Sequence, residues 1–109
     1  MQSIELFAGG GGMALGLEAA GFETKLLVEW DHDACETLRR NRPSWNIVEG
    51  DVRQIDYTPY KGVDLVAGGP PCQPFSVGGL ARGYDDLRDM FPEAVRAVRE
   101  IRPAAFIFE

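Results

Sequence analysis

The chain has 109 residues, 45% of them hydrophobic, with 11 Lys and Arg against 17 Asp and Glu and a formal net charge of −6. At this length a chain buries about 60–68% of the surface its unfolded form exposes, which suffices for one core and excludes a multi-domain reading. No apolar run approaches the roughly 18–20 residues of a membrane span, Met1-Gln2-Ser3-Ile4-Glu5 lacks signal-peptide character, and the acidic balance argues against this chain alone gripping nucleic acid. An intracellular protein is expected: cytoplasmic, nucleoid-associated if bacterial, nuclear if eukaryotic. In a reducing cytosol Cys35 and Cys72 stay thiols, and a single histidine, His32, argues against a Cys/His zinc site.

Ser3 to Ala8 reads as a strand entering Gly9-Gly10-Gly11-Gly12, followed by a helix from Met13 to Ala20 closed by Gly21. Lys25 to Val28 is a second buried strand ending at Glu29-Trp30, after which Asp31 or Asp33 caps a helix running to about Arg40 and stopped near Pro43. A weak strand at Asn46 to Val48 precedes Glu49-Gly50-Asp51, and a stronger one, Val63 to Ala67, runs into Gly68-Gly69-Pro70-Pro71-Cys72. Gln73 to Arg88 has glycines and no apolar period, so it reads as a mobile loop. Phe91, Ala94, Val95, Val98 and Ile101 share one helical face; Pro92 suits the first turn, Pro103 ends the helix, and Ala104 to Phe108 is a last apolar strand before Glu109. This alternation predicts the α/β class, a doubly wound and mostly parallel sheet.

In such sheets ligands bind beyond the carboxyl ends of the strands, where Phe7 to Gly11, Glu29-Trp30, Asp51, Pro71-Cys72 and Glu109 all fall. The glycine turn admits a ligand to the backbone, and Gly9-x-Gly11-x-x-Ala14 satisfies the dinucleotide fingerprint, so nicotinamide, flavin and other nucleoside cofactors are all open here. Glu29 stands about 20 residues after Gly9, where a carboxylate accepts from both ribose hydroxyls. Trp30 offers a face to an adenine ring and Asp51 an acceptor for its exocyclic amine. Cys72, between Pro71 and Pro74, sits on a stiff turn at this edge, which suits a nucleophile, although a buried core thiol is an open alternative. Cys35, beside Ala34 and Leu38, reads as a small core residue.

Glu5-Leu6-Phe7-Ala8-Gly9-Gly10-Gly11-Gly12 with Gly16 to Gly21 resembles the first motif of the cytosine-C5 DNA methyltransferases, and Pro71-Cys72-Gln73-Pro74-Phe75-Ser76 resembles their nucleophile motif. Glu29-Trp30-Asp31, Gly50-Asp51 and Asp86 to Phe91 continue the match in family order, so that it covers essentially the whole chain and outweighs the dinucleotide reading. The stretch from Arg88 to Phe91 is one residue shorter than the commoner family spacing.

The resemblance implies a Rossmann-like fold truncated after the fifth strand and a site for S-adenosylmethionine, with S-adenosylhomocysteine as product. Phe7 and Trp30 would flank the adenine, Glu29 hold the ribose and Asp51 the amine; Ala8, Gly9, Gly11, Val52, Pro71 and Met90 would complete the pocket. Cys72 would attack C6 of a cytosine flipped out of duplex DNA, and Glu109, matching the Glu of a Glu-Asn-Val motif, would serve as the acid. Gln73, Ser76 and Arg82 would contact the nucleic acid. The target-recognition domain and later motifs lie outside these residues, so the resemblance also implies a complementary chain or C-terminal segment, an isolated chain that is inactive, and weak cofactor affinity alone. A non-catalytic partner of a methyltransferase and a tRNA-directed enzyme remain open, because these residues do not separate DNA from RNA.

Overall fold

The computed structural model describes residues 1–71 and 90–109; the loop expected over Gln73 to Arg88 lies outside them. Strands β1 (Gln2–Leu6), β2 (Glu23–Glu29), β3 (Ile47–Glu49), β4 (Leu65–Gly68) and β5 (Ala105–Phe108) form one parallel sheet in the order β3-β2-β1-β4-β5. Among the described residues, helices α1 (Gly12–Ala19), α2 (His32–Asn41) and α3 (Phe91–Ile101) accompany the sheet. The apolar strand residues divide by alternation. Ile4, Leu6, Leu26, Val28 and Val66 pack with Ala97 and Ile101 of α3, whereas Leu27 joins Ala8, Ala14 of α1 and Leu38 of α2 in a second cluster. Both faces of the sheet therefore carry helices, as the run of apolar strands predicts.

Local chemistry sets where the elements stop. β1 ends at Leu6, two residues before the sequence expectation, because Phe7 adopts φ 57° and turns the chain out of the strand. β2 begins earlier than expected, at Glu23, since pairing with Gln2 recruits polar residues that carry no apolar signal; a register shift between Ser3 and Ile4 leaves Lys25 as the extra residue of a bulge. Asp31 caps α2 through a 2.9 Å bond from the Ala34 N–H, which decides between the two candidate caps. The segment after β3, assigned no element from the sequence, forms two 3₁₀ turns, Val52–Gln54 and Thr58–Tyr60. Asp51 caps the first, and Pro59 opens the second. Pro92 lies in the first turn of α3, and Arg102 at φ 56° closes that helix just before Pro103.

The chain winds outward from β1 through β2 to β3, then returns to the other flank of β1 with β4. This reversal opens a crevice between β1 and β4 at their carboxyl ends. Among the described residues no helix is long and apolar enough to cross a membrane.

β5 pairs only with β4 among the described residues, and Phe106 and Ile107 are 57% and 49% exposed. Phe91 and Phe106 stack around Phe108, with ring centroids 6.1 and 5.4 Å from it, and extend the apolar edge. An open strand edge flanked by apolar side chains templates association. The isolated 109-residue chain is accordingly expected to self-associate in sedimentation velocity as concentration rises, with Ile107→Lys weakening the effect. A wild-type chain that stays monomeric with a sharp, reversible melt would contradict this.

Candidate cofactor and catalytic site

A cavity of about 380 Å³ opens at the crevice, a size suited to a small-molecule ligand. Phe7 lines it from the end of β1, Val28, Glu29 and Trp30 from β2, Gly50, Asp51 and Val52 from the segment after β3, Gly69 and Pro71 from that after β4, and Met90 from the head of α3. Apart from Met90, the lining thus comes from the carboxyl ends of strands and the few residues that follow them.

The glycine turn is shaped by backbone conformation and by one carboxylate. Phe7 and Gly9 have φ 57° and 58°, and Gly11, at φ 100°, leads into α1. Glu29 Oε1 accepts the Gly9 N–H at 2.7 Å while Oε2 accepts the Asp31 N–H at 2.8 Å, so one side chain pins the turn after β1 to the start of α2. A Cβ on Gly11 would come within 2.7 Å of Leu38 Cδ2, and one on Gly68 within 2.4 Å of the Leu6 carbonyl oxygen. The first glycine lets α1 approach α2; the second lets β4 close against β1 at the mouth of the crevice.

Asp51 accepts the Arg53 N–H and three bonds from its guanidinium, at 2.7 to 3.0 Å, which hold its carboxyl below the usual range and keep it an ionised acceptor. The Met90 N–H donates to the Pro71 carbonyl at 2.9 Å and closes the wall on that side. Glu109 is held by its own N–H on the Gly68 carbonyl, 3.1 Å away, so it extends β5 level with Gly69. Cys35 is fully buried, donates to the Glu29 carbonyl at 3.4 Å, and has its thiol pKa pushed up by burial, all consistent with a core residue.

The family model of C-5 cytosine-specific DNA methylases matches residues 1–109. The chain belongs to this family. It is 54% identical over 107 residues to the Type II methyltransferase M.NgoMIV of Neisseria gonorrhoeae, covering 98% of this chain and 34% of that protein. It is 56% identical over 108 residues to M.Eco47II of Escherichia coli, covering 97% and 26%. The crystal structure of a candidate DNA modification methyltransferase encoded within an E. coli prophage superposes with a TM-score of 0.76 at 33% identity, over 94% of this chain and 30% of that one. The chain thus spans about a third or less of the length of these two relatives. Its parallel sheet with helices on both faces is the Rossmann-like methyltransferase fold expected from the motifs.

Of the cofactor residues inferred from sequence, the cavity gathers Phe7, Glu29, Trp30, Asp51, Val52, Pro71 and Met90. Ala8, Gly9 and Gly11 stand behind this wall: Ala8 is buried in the cluster with Ala14 and Leu38, and the two glycines shape the turn. Cys72, Gln73, Ser76 and Arg82 lie outside the described residues, although Pro71, the neighbour of Cys72, is on the cavity wall. Val28, Gly50 and Gly69 line the cavity without having been assigned a role from sequence; each directly flanks a predicted contact or strand end.

Glu5 also escaped the sequence reading. It is only 3% exposed in the central strand, and its Oε1 has no hydrogen-bond partner among the described residues. Burial, and then repulsion from the Glu109 carboxylate, push its pKa up to about 7. The signal for it is a lone ionisable residue inside an apolar run. Because folding raises this pKa from 4.5, the stabilising protonated form is full below about 4.5 and is lost as pH rises through 7. Relative to wild type, Glu5→Gln should gain on the order of 3 kcal/mol between pH 4.5 and 8. Urea titrations of both proteins across that range check this, and a difference independent of pH would refute it.

Proposed function

We propose that this chain is the cofactor-binding and nucleophile-bearing portion of an enzyme that methylates C5 of cytosine in duplex DNA, with S-adenosylmethionine as donor and S-adenosylhomocysteine as product. The observation that carries this reading is the cavity at the sheet's reversal point, where residues to which the family motifs imply cofactor roles converge from four strand ends. Phe7 and Trp30 border the same space, and Trp30, 60% exposed, has a free face for an adenine ring. Glu29 spends one lone pair of each oxygen on Gly9 and Asp31 and keeps the others for ribose hydroxyls. Asp51, ionised, accepts the adenine amine. The donor set therefore fits an adenosine-bearing molecule, and the bound cofactor would supply a sulfonium methyl group.

On the substrate side, the Cys72 thiolate adds to C6 of a flipped cytosine, forming a C6–S bond and making C5 electron-rich. Glu109 donates a proton or hydrogen bond to N3, which prevents negative charge from building up on the ring. After transfer, a solvent base takes the C5 proton, the freed electron pair re-forms the C5–C6 double bond and expels the Cys72 thiolate, and any proton given to N3 returns to Glu109. A complementary chain or C-terminal segment supplies target recognition and much of the basic DNA-binding surface, in keeping with the −6 charge of this one.

Reconstituted with that complementary portion, the chain is expected to form a covalent adduct on duplex DNA containing 5-fluorocytosine, a base that traps the C6 thioether because C5 has no proton to lose. Cys72→Ser should abolish the adduct, and an equal yield from that variant would overturn the nucleophile assignment. Methyl incorporation into tRNA but not into duplex DNA would overturn the DNA reading.

A further inference from the structure

Arg96 lies in the middle of α3, away from the cavity wall, yet its guanidinium reaches across to the segment that forms part of that wall. Nη2 donates to the carbonyl oxygens of Val52, at 3.2 Å, and Ile55, at 3.4 Å. Nε donates to Glu93 at 3.0 Å and Nη1 to both oxygens of Glu100 at 3.2 Å, so the carboxylates one turn before and after fix the side chain along its own helix. The guanidinium plane also covers the ring of Tyr57, with Cζ 4.8 Å from its centroid. Tyr57 is fully buried, and its hydroxyl has no hydrogen-bond partner among the described residues.

Those two carbonyls bracket the 3₁₀ turn Val52–Gln54, whose own bonds are few: Gln54 N–H to Asp51 O at 2.9 Å and Ile55 N–H to Val52 O at 3.3 Å. The Asp51 carboxylate braces the head of this turn through Arg53, whereas the carbonyl oxygens of Val52 and Ile55 reach α3 through Arg96. Asp51 and Val52, at its head, line the cavity.

We propose that Arg96 is a positioning residue for cofactor binding: it clamps the turn that carries Asp51 and Val52 against α3, so that this wall of the cavity is set before the ligand arrives. The clamp rests on the proposed cofactor reading for its consequence, but its geometry does not. Preorganisation of this kind raises affinity by removing an ordering cost at binding. Lysine does not replace it, because a single ammonium cannot bridge two carbonyls and two carboxylates while stacking on a ring.

The test compares the wild-type chain with Arg96→Lys, Arg96→Met and, as a control for general destabilisation, Val98→Ala, which removes a core contact of the same helix. Hydrogen exchange read by mass spectrometry over residues 50–57 reports the turn without ligand. Equilibrium dialysis with radiolabelled S-adenosylhomocysteine, at concentrations up to millimolar, reports affinity. Both Arg96 variants are expected to exchange about tenfold faster in this segment and to bind about tenfold more weakly, the effect of losing charge-assisted bonds, while Val98→Ala changes neither selectively. Unchanged exchange over residues 50–57 in a folded Arg96 variant overturns the clamp. Faster exchange with wild-type affinity overturns its role in positioning the cofactor. A wild-type chain that binds no ligand even at millimolar concentration refutes the cofactor reading instead, and the exchange measurement still decides the clamp. Should Arg96→Met fail to fold, Arg96→Lys carries both comparisons.

Discussion

The carboxylate of Glu29, with one oxygen on the Gly9 N–H and the other on the Asp31 N–H, is the contact on which the shape of the cavity depends. Phe7 leaves β1 at φ 57°, a conformation that costs a non-glycine residue energy and that an isolated strand end would abandon. What holds the turn in place is a charge-assisted bond to its second residue, reinforced by the Ala8 N–H on the Val28 carbonyl at 3.2 Å. The same side chain fixes the N–H of Asp31, the cap of α2. Two loops from adjacent strands are thereby tied together at the cavity wall. A residue that reads from the sequence as a ligand contact is thus a structural bridge as well.

Acidic side chains around the sheet edge have divergent fates, which follow from their surroundings. Asp51 has a guanidinium and an N–H on it and stays ionised. Glu49 is held below the usual carboxylate range by His32 and Arg39 at the outer edge of the sheet. Glu5 is buried, with no hydrogen-bond partner for its Oε1 among the described residues, so its proton is retained to about pH 7. Opposite charges near the first two favour the ionised form; the apolar enclosure of the third disfavours it.

Much of the architecture was readable because the strands of a covered parallel sheet are apolar on both faces and the helices between them carry clear caps and stops. The helical period of α3, the cap of α2 at Asp31 or Asp33 and the core position of Cys35 all come from patterns only a few residues long, although the face that α3 buries is Ala94, Ala97 and Ile101, while Phe91 of the expected face is 43% exposed. The elements that were missed have no such pattern. The polar start of β2 pairs with Gln2, twenty-one residues away, and the carbonyl oxygens at the two ends of the turn Val52–Gln54 accept from an arginine more than forty residues away.

The sequence by itself determined the fold class, the family and the identity of the residues at the strand ends, since these follow from local periodicity and from contiguous motifs. Tertiary structure decided which of those residues share a space. Phe7, Glu29, Trp30, Asp51, Val52, Pro71 and Met90 come together because the chain reverses between β1 and β4, whereas Ala8 and Gly11, within the same motif, turn inward toward Leu38. The direction in which a side chain points at the end of a strand depends on a few backbone angles and on partners distant in the chain. Neither is written in the local pattern.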